Sequence, residues 1–145
     1  MIELTDRSDI LGTYDVYKHC MYMPTEEKFN KKMDTLLSDD SVKIFACLHQ
    51  GAIKGVMVAT FLGQHRIEII GIAVDASARK QGIGSYMIEN IKNACNLKTI
   101  YAETDDDAVG FYRKNGFSIT EFSETHDDET FIRYKCELTN HQTPI

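Results

Sequence analysis

Tryptophan is absent from the 145-residue chain, prolines number two, and the four cysteines include no Cys-x-x-Cys pair. Cys20, Cys47, Cys95 and Cys136 each fall in a segment with helix or strand pattern, so buried free thiols, as in a reducing compartment, are expected. His19, His49, His65, His126 and His141 show no ligand spacing, and no metal site is predicted. No apolar run is long enough to cross a bilayer, and the opening Met-Ile-Glu-Leu-Thr-Asp lacks the basic-then-apolar order of a signal segment. A cytoplasmic protein is the expectation. Positive charge is also scarce. With 16 Lys and Arg against 22 Asp and Glu, the net charge of −6 argues against a protein that works on nucleic-acid backbones.

What is present has the length of one domain, enough to bury a core without disulfides or metals. The chain is organised around one stretch, Arg66-Ile-Glu-Ile-Ile-Gly-Ile-Ala-Val-Asp75 and the Ala76-Ser-Ala-Arg79-Lys-Gln-Gly82-Ile-Gly84-Ser that follows. The first part is β-branched and almost wholly apolar, as in a central strand covered on both faces. The second is a basic, glycine-bearing turn that opens into Ile83, Met87, Ile91 and Cys95 at helical spacing, a helix from about Gly82 to about Asn96. Strand, turn and helix N-terminus together suit a bound phosphate, because first-turn N–H groups are unpaired and the helix dipole favours an anion. Glycines at 82 and 84 leave room for close approach, and Arg79 and Lys80 add charge. A dinucleotide fingerprint would need a third glycine where Met87 stands. A nucleoside-triphosphate loop would need Gly-Lys-Ser/Thr, and Gly84 is followed by Ser85 and Tyr86.

In chain order, residues 1–5 alternate as a short strand. Ser8 is the candidate cap of a helix carrying Ile10, Leu11, Tyr14 and Tyr17 and ending near Cys20. Pro24 suits the first turn of a second helix with Phe29, Met33, Leu36 and Leu37 on its buried side. Strands over 42–49 and 53–62 flank Gln50-Gly51, a hairpin signal. After the central helix come a strand over 98–104, a short helix from Ala108 stopped by Asn115-Gly116, and strands over 117–122 and 131–138 around an acidic loop, 124–129. The predicted order is β-α-α-β-β-β-α-β-α-β-β. It describes a single α/β domain over residues 1–139, with one mixed sheet, helices on both faces, and a frayed tail over 140–145. The strands flanking the central helix should be parallel.

Arg79-x-x-Gly82-x-Gly84 after a strand ending Ile-Ala-Val resembles the acyl-CoA-binding signature of the GNAT N-acetyltransferase superfamily. Ala108-Val-Gly-Phe111-Tyr112-Arg-Lys-Asn-Gly116-Phe117 looks like that family's second motif, Ala-x-x-Phe-Tyr-x-x-x-Gly-Phe, and the element order agrees from end to end. The resemblance implies acetyl-CoA as co-substrate, with backbone contacts from Ile72, Ala73 and Val74 to the pantetheine arm in the manner of strand addition. It also implies a pyrophosphate over Arg79, Lys80, Gln81, Gly82, Ile83, Gly84 and Ser85. Family members often carry Asn where this chain has Asp105, a side chain that commonly helps hold the pantetheine or orient the tyrosine. An ionised Asp can accept but not donate, and the alternative is that Asp105-Asp106-Asp107 serves only the start of the following helix.

Acetyl transfer to an amine needs a base for the ammonium proton, a donor for the developing oxyanion and a proton for the leaving thiolate. Glu68 is the acidic residue inside the central strand and, if alternation holds, shares a face with Ile70, Ile72 and Val74, which suits a general base. The alternative for Glu68 is an exposed strand start paired with Arg66 or a neighbouring strand. Tyr112 corresponds to the family tyrosine placed near the CoA sulfur as general acid; the alternative is an aromatic packed beside Phe111. The acceptor is expected to be a primary amine of a small molecule, peptide or protein. Tyr22, Met23 and Glu26 lie in the joint that lines the acceptor side in relatives, and Asp127, Asp128 and Glu129 are candidates to border it. A homodimer through an exposed sheet edge is a further expectation from the resemblance. The competing readings are a non-catalytic acyl-CoA-binding module and, less favoured, a nucleotide-binding domain.

Overall fold

A computed structural model describes residues 1–140. Its frame is one seven-stranded sheet: β1 (Ile2–Leu4), β2 (Val42–His49), β3 (Ala52–Phe61), β4 (Arg66–Val74), β5 (Thr99–Thr104), β6 (Ser118–His126) and β7 (Glu129–Thr139). The spatial order is β1-β2-β3-β4-β5-β7-β6. All neighbours are antiparallel except β4 and β5, which run parallel as the intervening helix demands.

Five helices cover the sheet: α1 (Arg7–Leu11), α2 (Tyr14–Tyr17), α3 (Glu26–Leu37), α4 (Ile83–Ala94) and α5 (Val109–Lys114). One face carries α4 and α5, whose Met87, Ile88, Ile91 and Tyr112 pack with Met57, Ile67, Ile69 and Ile100. On the other face α1 to α3 bring Ile10, Tyr17, Phe29 and Met33 against Ile44, Val56, Val58 and Ala73.

The first helical region differs from the sequence reading. Asp6, not Ser8, is the cap, its Oδ1 accepting from the Ser8 N–H at 2.8 Å and the Asp9 N–H at 3.3 Å. The single expected helix is broken at Gly12 and Thr13 and finishes as a 3-10 turn over Lys18–Cys20. Pro24 precedes the second helix, and Thr25 caps it by accepting from the Lys28 N–H at 3.1 Å. Gln50 and Gly51 both take positive φ, 53° and 79°, as the tight hairpin turn requires.

The acidic loop is not a loop. β6 runs on to His126 and β7 starts at Glu129, so a two-residue turn of Asp127 and Asp128 at φ 50° and 65° joins them. Asp is among the few residues that tolerate the left-handed region, which lets the strands extend. Glu124 then meets His126 of its own strand at 3.2 Å and Arg133 across the ribbon at 3.6 Å. At the C-terminal end Asn140 is not frayed, since its N–H donates to the Lys98 carbonyl at 2.7 Å. The remainder of the expected tail, residues 141–145, lies outside the described residues.

Candidate active site

The site is built where β4 and β5 part. Their parallel pairing begins at Arg66↔Thr99 and ends at Ile69↔Ala102, so Ile70 to Val74 have no strand beside them on that edge. Which peptide groups face the gap follows from the ladder on the other side. The Asp75 N–H donates to the Lys54 carbonyl at 2.8 Å, and the same register pairs Ala73 with Val56 and Gly71 with Val58. Alternate residues of an antiparallel ladder bond to the same neighbour, so Gly71 and Ala73 turn to β3. Ile72 and Val74 therefore turn their N–H and C=O groups into the open edge.

A bulge reshapes the same strand. Val58 pairs with Gly71 and Ala59 with Ile69, leaving Ile70 without an opposite residue. The side-chain parity flips there. Ile67, Ile69, Ile72 and Val74 belong to the α4–α5 face, while Ile70 and Ala73 belong to the α1–α3 face. Glu68, whose neighbours Ile67 and Ile69 belong to the α4–α5 face, accordingly shares a face with Ile70 but not with Ile72 or Val74, which corrects the alternation expected from the sequence. Glu68 is half-buried between Thr60 on β3 and Tyr101 on β5. It takes part in no ion pair among the described residues, Arg66 included.

Beyond the end of β4, Asp75 accepts hydrogen bonds from the N–H and hydroxyl of Ser77 and meets Lys54 at 3.6 Å; the Ser77 bonds hold its carboxyl below the usual carboxylate range. This fixes the short 3-10 turn Ala76–Ala78 and leads the chain through Arg79, Lys80 and Gln81, all exposed, to Gly82. Gly82 caps α4 at φ 76° with no side chain closing the helix end, so the amides of the first turn stay available to an external anion. Neither Arg79 nor Lys80 is in an ion pair among the described residues. Gly84 has a second reason to be glycine: a β-carbon there would lie 2.7 Å from the Phe111 ring. It is buried where α4 meets α5. Ile83 and Ser85 are half-buried on either side.

Tyr112 stands at the same parting from the α4–α5 face. It is 5% exposed, edge-on to Phe111 and Phe117 with ring centroids 5.2 and 5.1 Å away, and its burial pushes the phenol well above its ordinary range. Asp105 is committed locally, its Oδ1 accepting from the N–H groups of Asp107 at 3.1 Å and Ala108 at 3.2 Å. That is the helix-entry role its position suggested.

Two residues on the α1–α3 face were not candidates from the sequence. Tyr17 is fully buried with its hydroxyl over Gly71, and it packs in the α1–α3 core while Tyr112 packs in the α4–α5 core, so the two phenols lie on opposite faces of the sheet. Cys20 is exposed as a residue, contrary to expectation, but its sulfur is turned inward. There it donates to the Tyr17 carbonyl at 3.2 Å and lies within reach of the Ile72 N–H, and desolvation lifts its pKa to about 11. Cys47 and Cys136 are buried and Cys95 half-buried; all four thiols are free. The isolated Gly71 within an apolar strand was the signal for a bulge and a close approach. Tyr22 and Met23, by contrast, are 89% and 65% exposed in the joint before α3. No group of acidic, His and Cys side chains among the described residues could hold a metal ion, and no helix among them is long and apolar enough to cross a membrane.

Comparison with known proteins agrees with this geometry. The model of the Acetyltransferase (GNAT) family matches residues 10–117, and the chain belongs to that family. It is an N-acetyltransferase with acetyl-CoA as its co-substrate. A curated relative, the peptidyl-lysine N-acetyltransferase YjaB of Salmonella typhimurium (strain LT2), is 32% identical over 103 residues, 68% of this chain and 68% of the relative. In fold, the chain is similar to the ribosomal-protein-S18-alanine N-acetyltransferase from Escherichia coli, with TM-score 0.74 and 16% identity over 99% of this chain and 94% of that one. It is also similar to a GNAT family acetyltransferase from Elizabethkingia anophelis with acetyl-CoA bound, with TM-score 0.64 and 19% identity over 88% and 90% of the two chains.

Proposed function

We propose that the protein acetylates the side-chain amine of lysine in peptides or proteins, by direct attack of that amine on the thioester of acetyl-CoA. The observation that carries the proposal is the open edge of β4. Ile72 and Val74 offer peptide N–H and C=O groups to a ligand that runs as an added strand, and the uncapped start of α4 lies just beyond the strand end. In this reading the Ile72 C=O and the Val74 N–H and C=O bind the amides of the pantetheine arm, leaving the Ile72 N–H free, and Ala73, whose polar groups face β3, holds their spacing. Arg79, Lys80 and Gln81, with the amides of Gly82, Ile83, Gly84 and Ser85, bind the pyrophosphate. Asp105 supports the site by fixing the entry to α5.

The two faces of the sheet divide the chemistry. Glu68, on the α1–α3 face, takes the proton of the incoming amine as the nitrogen–carbon bond forms. Tyr112, on the opposite face, gives a proton to sulfur as the carbon–sulfur bond breaks. Burial keeps the Tyr112 phenol neutral and so able to donate, and it also makes the phenol a weaker acid, so the proton moves only as negative charge builds on sulfur. A peptide acceptor is supported by the name of the YjaB relative. The exposed Tyr22 and Met23, with Glu26 at the start of α3, offer an apolar and acidic surface for a lysine-bearing segment. Four free thiols fit a reducing compartment such as the cytoplasm.

The test is incubation with acetyl-CoA and a peptide carrying one internal lysine, read by tandem mass spectrometry. A peptide with a free N-terminus and no lysine serves as the comparison. Acetyl on the lysine Nζ supports the proposal. Tight acetyl-CoA binding without transfer to either peptide, or to a panel of small amines, would reduce the protein to an acyl-CoA-binding module. Arg79→Ala should weaken CoA binding about tenfold, in a salt-dependent manner.

A further inference from the structure

Tyr17, at the end of α2, carries a polar atom that nothing in the fold satisfies. The residue is 0% exposed and its hydroxyl has no hydrogen-bond partner among the described residues. A buried, unpaired hydroxyl is destabilising, and phenylalanine would fill the same space without it. The ring is held from its far side by Phe29, with centroids 5.7 Å apart, and by the Lys32 ammonium 5.7 Å from its centre. Its oxygen is thereby aimed rather than free to search for a partner.

The aim is specific. The hydroxyl lies over Gly71, where a β-carbon would come within 2.2 Å of it. The next residue is Ile72, whose N–H points into the open edge of β4. The Cys20 sulfur lies beside the Tyr17 hydroxyl without the geometry of a hydrogen bond to it, and it is also close to the Ile72 N–H. Two donors on different elements therefore converge on one spot, bordered by a sulfur, which is a weak acceptor. An oxygen is the better partner for such a pair.

We propose that Tyr17 is a catalytic residue whose hydroxyl, together with the Ile72 N–H, receives the carbonyl oxygen of the acetyl thioester, the Cys20 side chain turning aside to admit it. The proposal rests on the acetyl-transfer reading above and adds a side-chain donor to the backbone one. The charge that grows on that oxygen during attack then meets two fixed donors in a water-poor site, where such donors are most effective. Burial holds the phenol of Tyr17 well above its ordinary pKa, so it stays protonated and acts as a donor, not a base. Gly71 is the residue that permits the approach.

The experiment is infrared difference spectroscopy of acetyl-CoA labelled with carbon-13 at the carbonyl, bound to the wild-type protein and to Tyr17→Phe. A hydrogen bond lowers the carbonyl stretch, so the wild-type complex should show a lower frequency than the variant. The variant should also lose about 100-fold in kcat, with the affinity for free CoA unchanged. Equal frequencies in the two complexes would overturn the role of Tyr17 while leaving acetyl-CoA binding intact. Failure of the wild-type protein to bind acetyl-CoA would instead overturn the functional reading itself. Should Tyr17→Phe not fold, Cys20→Val crowds the same spot from an exposed residue. It should raise the frequency in the same way, and an unchanged frequency there counts equally against the proposal.

Discussion

The Tyr17 hydroxyl overhangs Gly71 so closely that a β-carbon on the glycine would sit 2.2 Å from the oxygen. Helix α2 and strand β4 can meet here because this position lacks a side chain. Gly71→Ala should therefore destabilise the protein by about 1–3 kcal/mol, the usual cost of overpacking. In a denaturant titration, adding Tyr17→Phe should recover part of that loss, because the two positions share one contact and are not additive.

The two glycines of the turn before α4 should separate by mechanism. Gly84→Ala drives a methyl group to 2.7 Å from the buried Phe111 ring and should cost about 1–3 kcal/mol in stability. Gly82 has open space around its α-carbon but a φ of 76°, so Gly82→Ala should cost about 1–2 kcal/mol from backbone strain alone. Thermal denaturation with and without CoA distinguishes the two. Ligand should still stabilise Gly84→Ala by nearly the wild-type increment, since its methyl group points at Phe111, and Gly82→Ala by less, since its methyl group enters the open space through which an anion would reach the first-turn amides.

Tyr112→Phe keeps the edge-on packing with Phe111 and Phe117 and removes only the hydroxyl. Its kcat should fall about 100-fold, the lower range for loss of a general acid, with acetyl-CoA affinity held within about twofold. Turnover equal to wild type would return Tyr112 to a packing role.

Alkaline stability follows from the same phenols. Tyr17 and Tyr112 have folded pKa values raised above the ordinary 10, chiefly by burial. In the unfolded chain they ionise near 10, so above that pH the unfolded state binds fewer protons than the native one and stability falls. Their contribution is fully present below pH 10. It is lost at about 1.4 kcal/mol per pH unit for each group as pH rises toward the folded values. Urea titrations from pH 9 to 11 should show this decline, and Tyr17→Phe should make it shallower by one group.

Much of this was legible in the chain because it depends on neighbours in sequence. The apolar run of β4, the Gln50-Gly51 turn and the spacing of Ile83, Met87 and Ile91 are local patterns with local causes. Capping was less legible, since Asp6, Ser8 and Thr25 are all competent caps and the choice depends on where the chain must turn to meet the sheet. The reading of 124–129 as a loop failed because charged residues on an exposed ribbon look like solvent-exposed loop. Only cross-strand pairing of Glu124 with Phe131 and of Thr125 with Thr130 makes them strand.

The sequence by itself determined the order of the strands, the basic glycine turn before α4 and the Phe111-Tyr112 motif, since each rests on patterns among near neighbours in the chain. Tertiary structure alone decided the rest. Glu68 and Val74 lie on opposite faces because a bulge at Ile70 inserts one residue into a period-two pattern, and a bulge exists only against a partner strand. Tyr17, Gly71 and Ile72 converge because a helix from the start of the chain crosses the central strand. That contact is set by how the two hydrophobic faces pack, and no stretch of sequence contains it.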